Sequence, residues 1–254
     1  MYIALIGYGK MGKAIEEIAL RKGHDVVLAI DDQNLADLTK ENLKKADVAI
    51  EFTIPESAVA NILVCFDAGV PVVCGTTGWL QQKKFIEEKC REVDGTFLTT
   101  TNFSIGVNIF FELNKKLAIL MKPHDNYNVQ IEETHHTQKK DAPSGTAISL
   151  AEQIIENSSQ KKNWALRQDP FRQAPPRQAQ GDDAADNINE LSIISKRIDP
   201  AAGTHLVKYT SEVDDIEIIH TAHNRKGFAA GALLAAEFIH DKKGIFIMKD
   251  VLGI

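Results

Sequence analysis

The sequence predicts an α/β protein: a doubly wound parallel sheet followed by a second α+β domain with a mixed or antiparallel sheet. Three observations carry this. Over about the first hundred residues, short β-branched apolar runs alternate with amphipathic stretches of helical period, the rhythm of βαβ units. A G-x-G-x-x-G turn stands between the first apolar run and the first helical stretch. Beyond Asn102 this rhythm gives way to a long helix and then to closely spaced strands.

The apolar runs "YIALIG", "DVVLAI", "DVAIEFT", "PVVCGTT" and "TFLTTTN" read as strands covered on both faces. Between them, "KMGKAIEEIALRKG", "ESAVANILVCFDAG" and "QQKKFIEEKCREVDG" read as helices. Each ends in a glycine (Gly23, Gly69, Gly95) that suits a helix C-cap. "IGVNIFFELNKKLAILMK" is a long helix, "NYNVQIEETHH" a strand, and "SGTAISLAEQIIENSS" a helix opening at Ser144. Residues 160–188 are rich in Gln, Asp, Pro and Ala and read as a long surface loop or arm. "ELSIISKRID", "THLVKYTS" and "DDIEIIHTAHN" read as consecutive antiparallel strands joined by short turns. The helix "GFAAGALLAAEFIHD" and the tail "GIFIMKDVLGI" follow.

Composition narrows the function classes. With 254 residues and 44% hydrophobic content the chain can bury a substantial core. A net charge of -6 argues against a nucleic-acid or anionic-membrane partner. No apolar stretch reaches membrane-spanning length and no basic-then-apolar leader opens the chain. Cys65, Cys74 and Cys90 are widely spaced and form no CxxC pair, so neither a disulfide framework nor a metal site is expected. A cytoplasmic protein fits these observations.

Gly7, Gly9 and Gly12 form the glycine turn, straight after a strand and opening a helix. Gly7 permits a tight turn, Gly9 lets backbone approach a pyrophosphate, and Gly12 lets the helix pack on the strand. The helix start supplies unpaired N–H groups for the phosphates. This is a Rossmann-like dinucleotide site. Asp31 ends the second strand, where a carboxylate accepts from both ribose hydroxyls of NADH and repels a 2′-phosphate. No arginine follows it, so NADH is slightly favoured. Lys10 beside the turn leaves NADPH open. Asp32 reads as a solvated turn residue. Further candidates lie where strands deliver their C-terminal ends, the binding edge of an open parallel sheet. They are Phe52 and Thr53, then Gly75, Thr76 and Thr77, then Thr101, Asn102, Phe103 and Ser104.

The stretch "ETHHTQKKDAPSGTA", residues 133–147, gathers histidines, lysines and small residues. Ser144 is a good N-cap. The backbone N–H groups of Ser144, Gly145 and Thr146 are then expected to form an anion seat sized for a carboxylate. Lys139 and Lys140 offer positive charge, and His135 or His136 offers a proton near neutral pH. In an extended strand two consecutive histidines point to opposite faces, so one of them can face away. With a dinucleotide domain, these parts suit hydride transfer to an anionic substrate.

"HHTQKKDAPSGTA" resembles the signature H-H-x-x-K-x-D-x-P-S-G-T-A of the 4-hydroxy-tetrahydrodipicolinate reductases, formerly called dihydrodipicolinate reductases, of lysine and diaminopimelate synthesis. The likeness continues through "GYGKMG", "EFT", "CGTTG", "TNFSIGVN" and "IEIIHTAHNRKGFAAGAL". The resemblance implies NADH- or NADPH-dependent reduction of a cyclic amino-dicarboxylate, giving tetrahydrodipicolinate and water. It implies that His135 is the proton donor and Lys139 a second catalytic or substrate-binding group. His136 then contacts substrate, and Ser144, Gly145 and Thr146 hold a carboxylate. The segments around Gly7, Asp31, Gly75 and Thr101, with Tyr8, Lys10 and Met11 in the first turn, hold the cofactor. It further implies a homotetramer formed through the second domain, and a C-terminal helix that packs back on the first. The expected domains are residues 1–105 with 226–254, and 106–225. Many members carry an extra glycine in the first turn, an alanine where Thr101 stands, and an arginine beside the ribose acid; these differences bear on cofactor preference. Other readings are a sugar or amino-acid dehydrogenase of the same layout, and a non-catalytic, redox-sensing nucleotide-binding regulator.

Overall fold

The computed structural model describes residues 1–167, 189–224 and 226–254. The chain divides into two compact units, Met1–Asn108 with Lys226–Ile254, and Ile109–Arg225. In chain order the elements are β1 (Tyr2–Ile6), α1 (Lys10–Arg21), β2 (Asp25–Ile30), α2 (Lys40–Leu43), β3 (Val48–Glu51), α3 (Pro55–Ala68), β4 (Val72–Cys74), α4 (Lys83–Glu92) and β5 (Thr96–Thr99). There follow α5 (Ile105–Met121), β6 (Asn128–His135), α6 (Gly145–Asn157), β7 (Asn163–Arg167), β8 (Glu190–Arg197), β9 (Gly203–Thr210) and β10 (Asp215–Ala222). The chain ends with α7 (Lys226–Ile239), β11 (Gly244–Phe246) and α8 (Met248–Leu252).

In the first unit the strands form a parallel sheet in the order β2-β1-β3-β4-β5-β11. Every residue of β3, β4 and β5 is buried, as expected of strands covered on both faces. One apolar cluster joins the sheet to Ala58, Ile62, Cys65 and Phe66 of α3 and to Ile86 and Cys90 of α4. The other joins it to Ile15 and Ala19 of α1 and to Ala229, Ala232, Leu233 and Ala236 of α7. The alanines of α7 allow close approach: a Cβ on Gly231 would overlap the carbonyl of Phe103. Strand order reverses between β1 and β3, so their C-terminal ends open a crevice. Gly7 follows β1 there, and Phe52 and Thr53 follow β3.

In the second unit the sheet order is β10-β9-β6-β8-β7. Alternate residues of β6 are buried, which places Val129, Ile131, Glu133 and His135 on one face. Ala147, Leu150, Ala151 and Ile154 of α6 and Phe110 and Ala118 of α5 pack there against Ile131, Leu191, Ile193 and Val207. Asn114 ties the two helices, donating to the carbonyl of Leu150 at 3.1 Å.

Several expectations are corrected. β8 does not pair with β9; it runs parallel to β6 and β7, while β9 is antiparallel to both β6 and β10. Strand propensity does not report partner choice, and short loops alone suggested hairpins. Part of the stretch expected to be loop is β7, whose Trp164 packs on the core; the remainder, 168–188, lies outside the described residues. Gly23 and Gly69 are left-handed as expected after α1 and α3, but after α4 that position is taken by Asp94 at φ 49°, not by Gly95. The short α2 was not anticipated; Thr39 caps it by accepting from the N–H of Asn42.

Candidate functional site

In the first unit a cleft of about 640 Å³ opens at the β1–β3 crevice. Gly7, Tyr8, Gly9, Asp31 and Thr53 line it, together with Lys13, Ile54, Ser57 and Asn61. The glycine turn is held by the carbonyl of Ile30, which accepts from the N–H groups of Gly7 and Tyr8 at 2.9 and 2.8 Å. Gly7 sits at φ +97°, where a Cβ would overlap the carbonyl of Phe52. A Cβ on Gly12 would press on the carbonyl of Gly7, so glycine lets α1 start close to the turn. Among the described residues a Cβ on Gly9 would meet nothing within 4 Å, and no side chain caps α1. The N–H groups of Lys10, Met11 and Gly12 in the first turn are thus the ones a helix start leaves for a phosphate. Asp31 accepts from Gln33 N–H through Oδ1 at 2.8 Å, an Asx turn that aims the carboxylate. This set of groups fits a dinucleotide. Asp32 is exposed but also lines the cleft, and Lys13, not Lys10, is the lysine on its wall.

Behind the cleft lies a network that the sequence did not reveal. Glu51 is fully buried and accepts from Cys74 Sγ at 3.0 Å, from Asn61 Nδ2 at 3.4 Å and from the Thr53 hydroxyl. Burial, with the nearby Glu51 charge, pushes the Cys74 thiol far up, so it is an inert donor. Thr76 is buried and accepts from Thr53 N–H at 2.7 Å. Packing alone requires glycine at 75, since a Cβ there would overlap the ring of Phe52. Phe52 in turn packs against Phe103, centroids 5.6 Å apart, within the apolar core. Thr77 and Thr101 are exposed. The Asn102 carboxamide accepts from Ser104 N–H at 2.8 Å, shaping the turn into α5.

In the second unit the candidate chemical groups gather at the end of β6. His135 is the last strand residue and is buried; His136 lies beyond the strand and is half-buried. Two residues before His135 on the same face, Glu133 is wholly buried. Its Oε1 accepts from the Ser195 hydroxyl at 2.7 Å and from Arg197 Nη2 at 3.3 Å. Its Oε2 stands 3.5 Å from His135 Nδ1 and 3.7 Å from His205 Nε2. Ser144 caps α6 through its hydroxyl, which accepts from Ala147 N–H at 3.2 Å and also lies 3.0 Å from His205 Nε2. The rings of His135 and His205 meet edge to face with centroids 5.1 Å apart. Lys139 bonds both oxygens of Asp141 at 2.8 Å. Lys140 is exposed.

These contacts set the charges. Burial works against ionised Glu133, but the His205 ring 3.7 Å away and hydrogen bonds from Ser144 and Ser195 outweigh it, and its pKa falls well below the ordinary carboxylate value. His135 is pushed down to about 4, first by burial, with His205, Lys139 and Arg197 adding to the effect and Glu133 opposing it. The hydrogen bonds from Lys139 lower Asp141. The donor atoms of Glu133, His135 and His205 lie within 4.8 Å of one another. Glu133 already accepts from Ser144, Ser195 and Arg197, and the guanidinium disfavours a second cation. Glu133 is thus already engaged by the protein's own donors, which bears against a metal at this cluster.

One expectation for the anion seat changes. The backbone N–H of Ser144 donates to both oxygens of Glu133, at 3.1 Å each, so it is not free for a ligand. Gly145 and Thr146 keep the open start of α6, and among the described residues a Cβ on Gly145 would meet nothing within 4 Å. Sequence reasoning missed Glu133, Ser195, Arg197 and His205. Glu133 was within reach, since a spacing of two on a strand puts it beside His135. His205 falls in phase with the buried Val207 and Tyr209, and nothing local marks it as a partner of β6.

The chain is similar along its length to proteins of one family. The family model for the N-terminus of dihydrodipicolinate reductase matches residues 1–103, and that for its C-terminus matches residues 106–252. A 4-hydroxy-tetrahydrodipicolinate reductase of Christiangramia forsetii is 48% identical over 255 residues, covering 100% of this chain and 98% of the relative. One from Methanosarcina barkeri is 35% identical over 254 residues, covering 99% and 89%. Among solved structures, a dipicolinate-bound dihydrodipicolinate reductase from Paenisporosarcina sp. TG-14 shares the fold. Its TM-score is 0.70 at 22% identity, with 97% of each chain covered. The parallel glycine-turn sheet, the mixed second sheet and these full-length matches together place the chain in the dihydrodipicolinate reductase family.

Proposed function

We propose that this chain reduces 4-hydroxy-tetrahydrodipicolinate to tetrahydrodipicolinate and water with NADH or NADPH, in lysine and diaminopimelate biosynthesis. The observation that carries the reading is the buried His135 at the end of β6, backed by Glu133, in the same unit as the open start of α6 at Gly145 and Thr146. The first unit holds the dinucleotide through the glycine turn, the start of α1 and Asp31. Bound there, the reduced nicotinamide supplies a hydride.

In the second unit Gly145 and Thr146 N–H groups hold one substrate carboxylate, and Lys139 and His136 orient the ring. Loss of water from the substrate leaves a conjugated acceptor. As that acceptor takes up hydride, negative charge builds on the ring, and His135 delivers the proton that quenches it. Free His135 is neutral at pH 7; a dicarboxylate beside it adds negative charge and raises its proton affinity. Asp31 favours NADH, while Lys13 on the cleft wall offers a 2′-phosphate a cation.

The quaternary proposal is a homotetramer formed through the second unit. The sheet face opposite α6 carries Ile194, Leu206 and the exposed Ile219, apolar positions that an interface would cover. Three buried free thiols suit a reducing, cytoplasmic setting. No helix among the described residues is long and apolar enough to cross a membrane.

A coupled assay tests the function. The product of the preceding synthase is supplied with the protein, and loss of reduced-nicotinamide absorbance is followed with each cofactor. Turnover with either supports the reading. Binding of NADH or NADPH with no consumption would favour a non-catalytic nucleotide-binding regulator.

A further inference from the structure

Among the described residues of the second unit Glu133 is the most enclosed charged group, and it stands directly behind the candidate proton donor. A wholly buried carboxylate is costly unless hydrogen bonds hold it. Here they do, and they are unevenly distributed. Oε1 takes the Ser195 hydroxyl and the Arg197 guanidinium, while Ser144 N–H is shared between both oxygens. Oε2 is left facing two imidazoles, His135 Nδ1 at 3.5 Å and His205 Nε2 at 3.7 Å. His135 Nδ1 is buried and has no hydrogen-bond partner among the described residues. The other edge of that ring lies over Gly203, where a Cβ would stand 3.2 Å from Nε2 and 3.3 Å from Cδ2. Glycine at 203 therefore keeps the Nε2 edge clear of side chain.

We propose that Glu133 is a positioning residue for the proton donor: its Oε2 takes the Nδ1–H of His135, so that Nε2 is the nitrogen that delivers the proton. The proposal rests on the reading of His135 as that donor. A shift of a few tenths of an ångström closes the 3.5 Å gap to a hydrogen bond. In the charged ring both nitrogens carry protons. Nδ1–H stays with Glu133, Nε2–H goes to the substrate carbon, and the neutral Nδ1–H tautomer remains, to be reprotonated at Nε2 from solvent. Ser195, Arg197 and Ser144 keep the carboxylate ionised and still. His205, braced by the Ser144 hydroxyl, occupies the remaining side of Oε2. The charged or titratable groups facing His135 are Glu133 on its own strand, Arg197 from β8, His205 from β9 and Lys139 from the following loop. Glu133 is the only anion among these, and its negative charge favours the protonated ring.

Two measurements test this. The first compares the pH dependence of kcat in the wild-type protein and Glu133→Gln, with His135→Gln as the reference. As pH rises, activity is lost when His135 loses its proton. Without the Glu133 charge that loss comes at lower pH, by at least about one pH unit, with the Michaelis constant for substrate little changed. A Glu133→Gln profile that overlays the wild type, with only its height reduced, overturns the proposal. His135→Gln keeping full turnover overturns instead the donor assignment on which it rests. The second measurement needs no Glu133 variant: nitrogen-15 NMR of histidine-labelled wild-type protein, with the His135 signals identified by their absence in His135→Gln. The Nδ1–H tautomer is expected for neutral His135, and an Nε2–H tautomer overturns the proposal.

Discussion

The N–H of Ser144 is shared by both oxygens of Glu133, 3.1 Å from each, and this single contact divides the start of α6 between protein and ligand. Ser144 belongs to the buried network around Glu133; Gly145 and Thr146 are the positions proposed for a substrate carboxylate. Gly145→Ala tests the division. The added methyl meets nothing within 4 Å among the described residues, so the melting temperature should stay within experimental error. The Michaelis constant for the dicarboxylate should rise by about 10- to 100-fold, the worth of hydrogen bonds to a charged group. Equal Michaelis constants for the variant and the wild type would show that no carboxylate sits there.

Ser144→Ala is expected to behave in the opposite way. It removes the cap on Ala147 N–H and the partner of His205 Nε2 while leaving the amides of Gly145 and Thr146 in place. Stability should fall by about 1 kcal/mol, the usual value of an N-cap side chain, and chemical denaturation measures it. A larger effect on the substrate Michaelis constant than that of Gly145→Ala would reverse the assignment.

His135→Gln should lower kcat by about 10²–10⁴, the usual contribution of a positioned acid. Binding of NADH, followed by fluorescence, should be unchanged, because every residue proposed to hold it lies in the other unit.

The same residue makes stability depend on pH. Folding lowers its pKa from 6.5 to about 4, so between these values the unfolded chain binds the proton and the folded chain does not. Stability from this site is therefore full above pH 6.5 and declines as pH falls towards 4, by at most about 1.4 kcal/mol per pH unit. Urea titrations at several pH values should show a shallower decline over that window in His135→Gln than in the wild type. Parallel curves would mean that His135 does not titrate differently on folding.

Cofactor preference should turn on Asp31 and Lys13, which share the cleft wall. Asp31→Ala should raise the Michaelis constant for NADH by about 10-fold and leave that for NADPH unchanged or lower. Lys13→Ala should do the reverse. Steady-state kinetics with both cofactors decides it, and equal changes for the two cofactors would remove both residues from the discrimination.

Much of this was legible in the chain. The turn at Gly7, Gly9 and Gly12 sits where expected because its requirements are local: a positive φ, an uncapped helix start and close packing of Gly12 on Gly7. The N-cap at Ser144 was readable for the same reason. Gly75 shows the limit of such reading. It was read as a residue at a strand's C-terminal end, and the need for glycine there comes from Phe52, a residue far away in sequence.

By itself, then, the sequence determined what depends on neighbours along the chain: the parallel βαβ unit, the two helix starts, and the family signature from His135 to Ala147. Tertiary structure alone decided which strands pair and which side chains surround His135. β8 pairs with β6 and not with β9, and so brings Ser195 and Arg197 to Glu133, while β9 brings His205 from the opposite side. The physical reason is that strand propensity and apolar alternation specify a face and a period, but carry no label for the partner. That choice is made when the whole sheet buries its core against α5 and α6, and the proton network is a consequence of it.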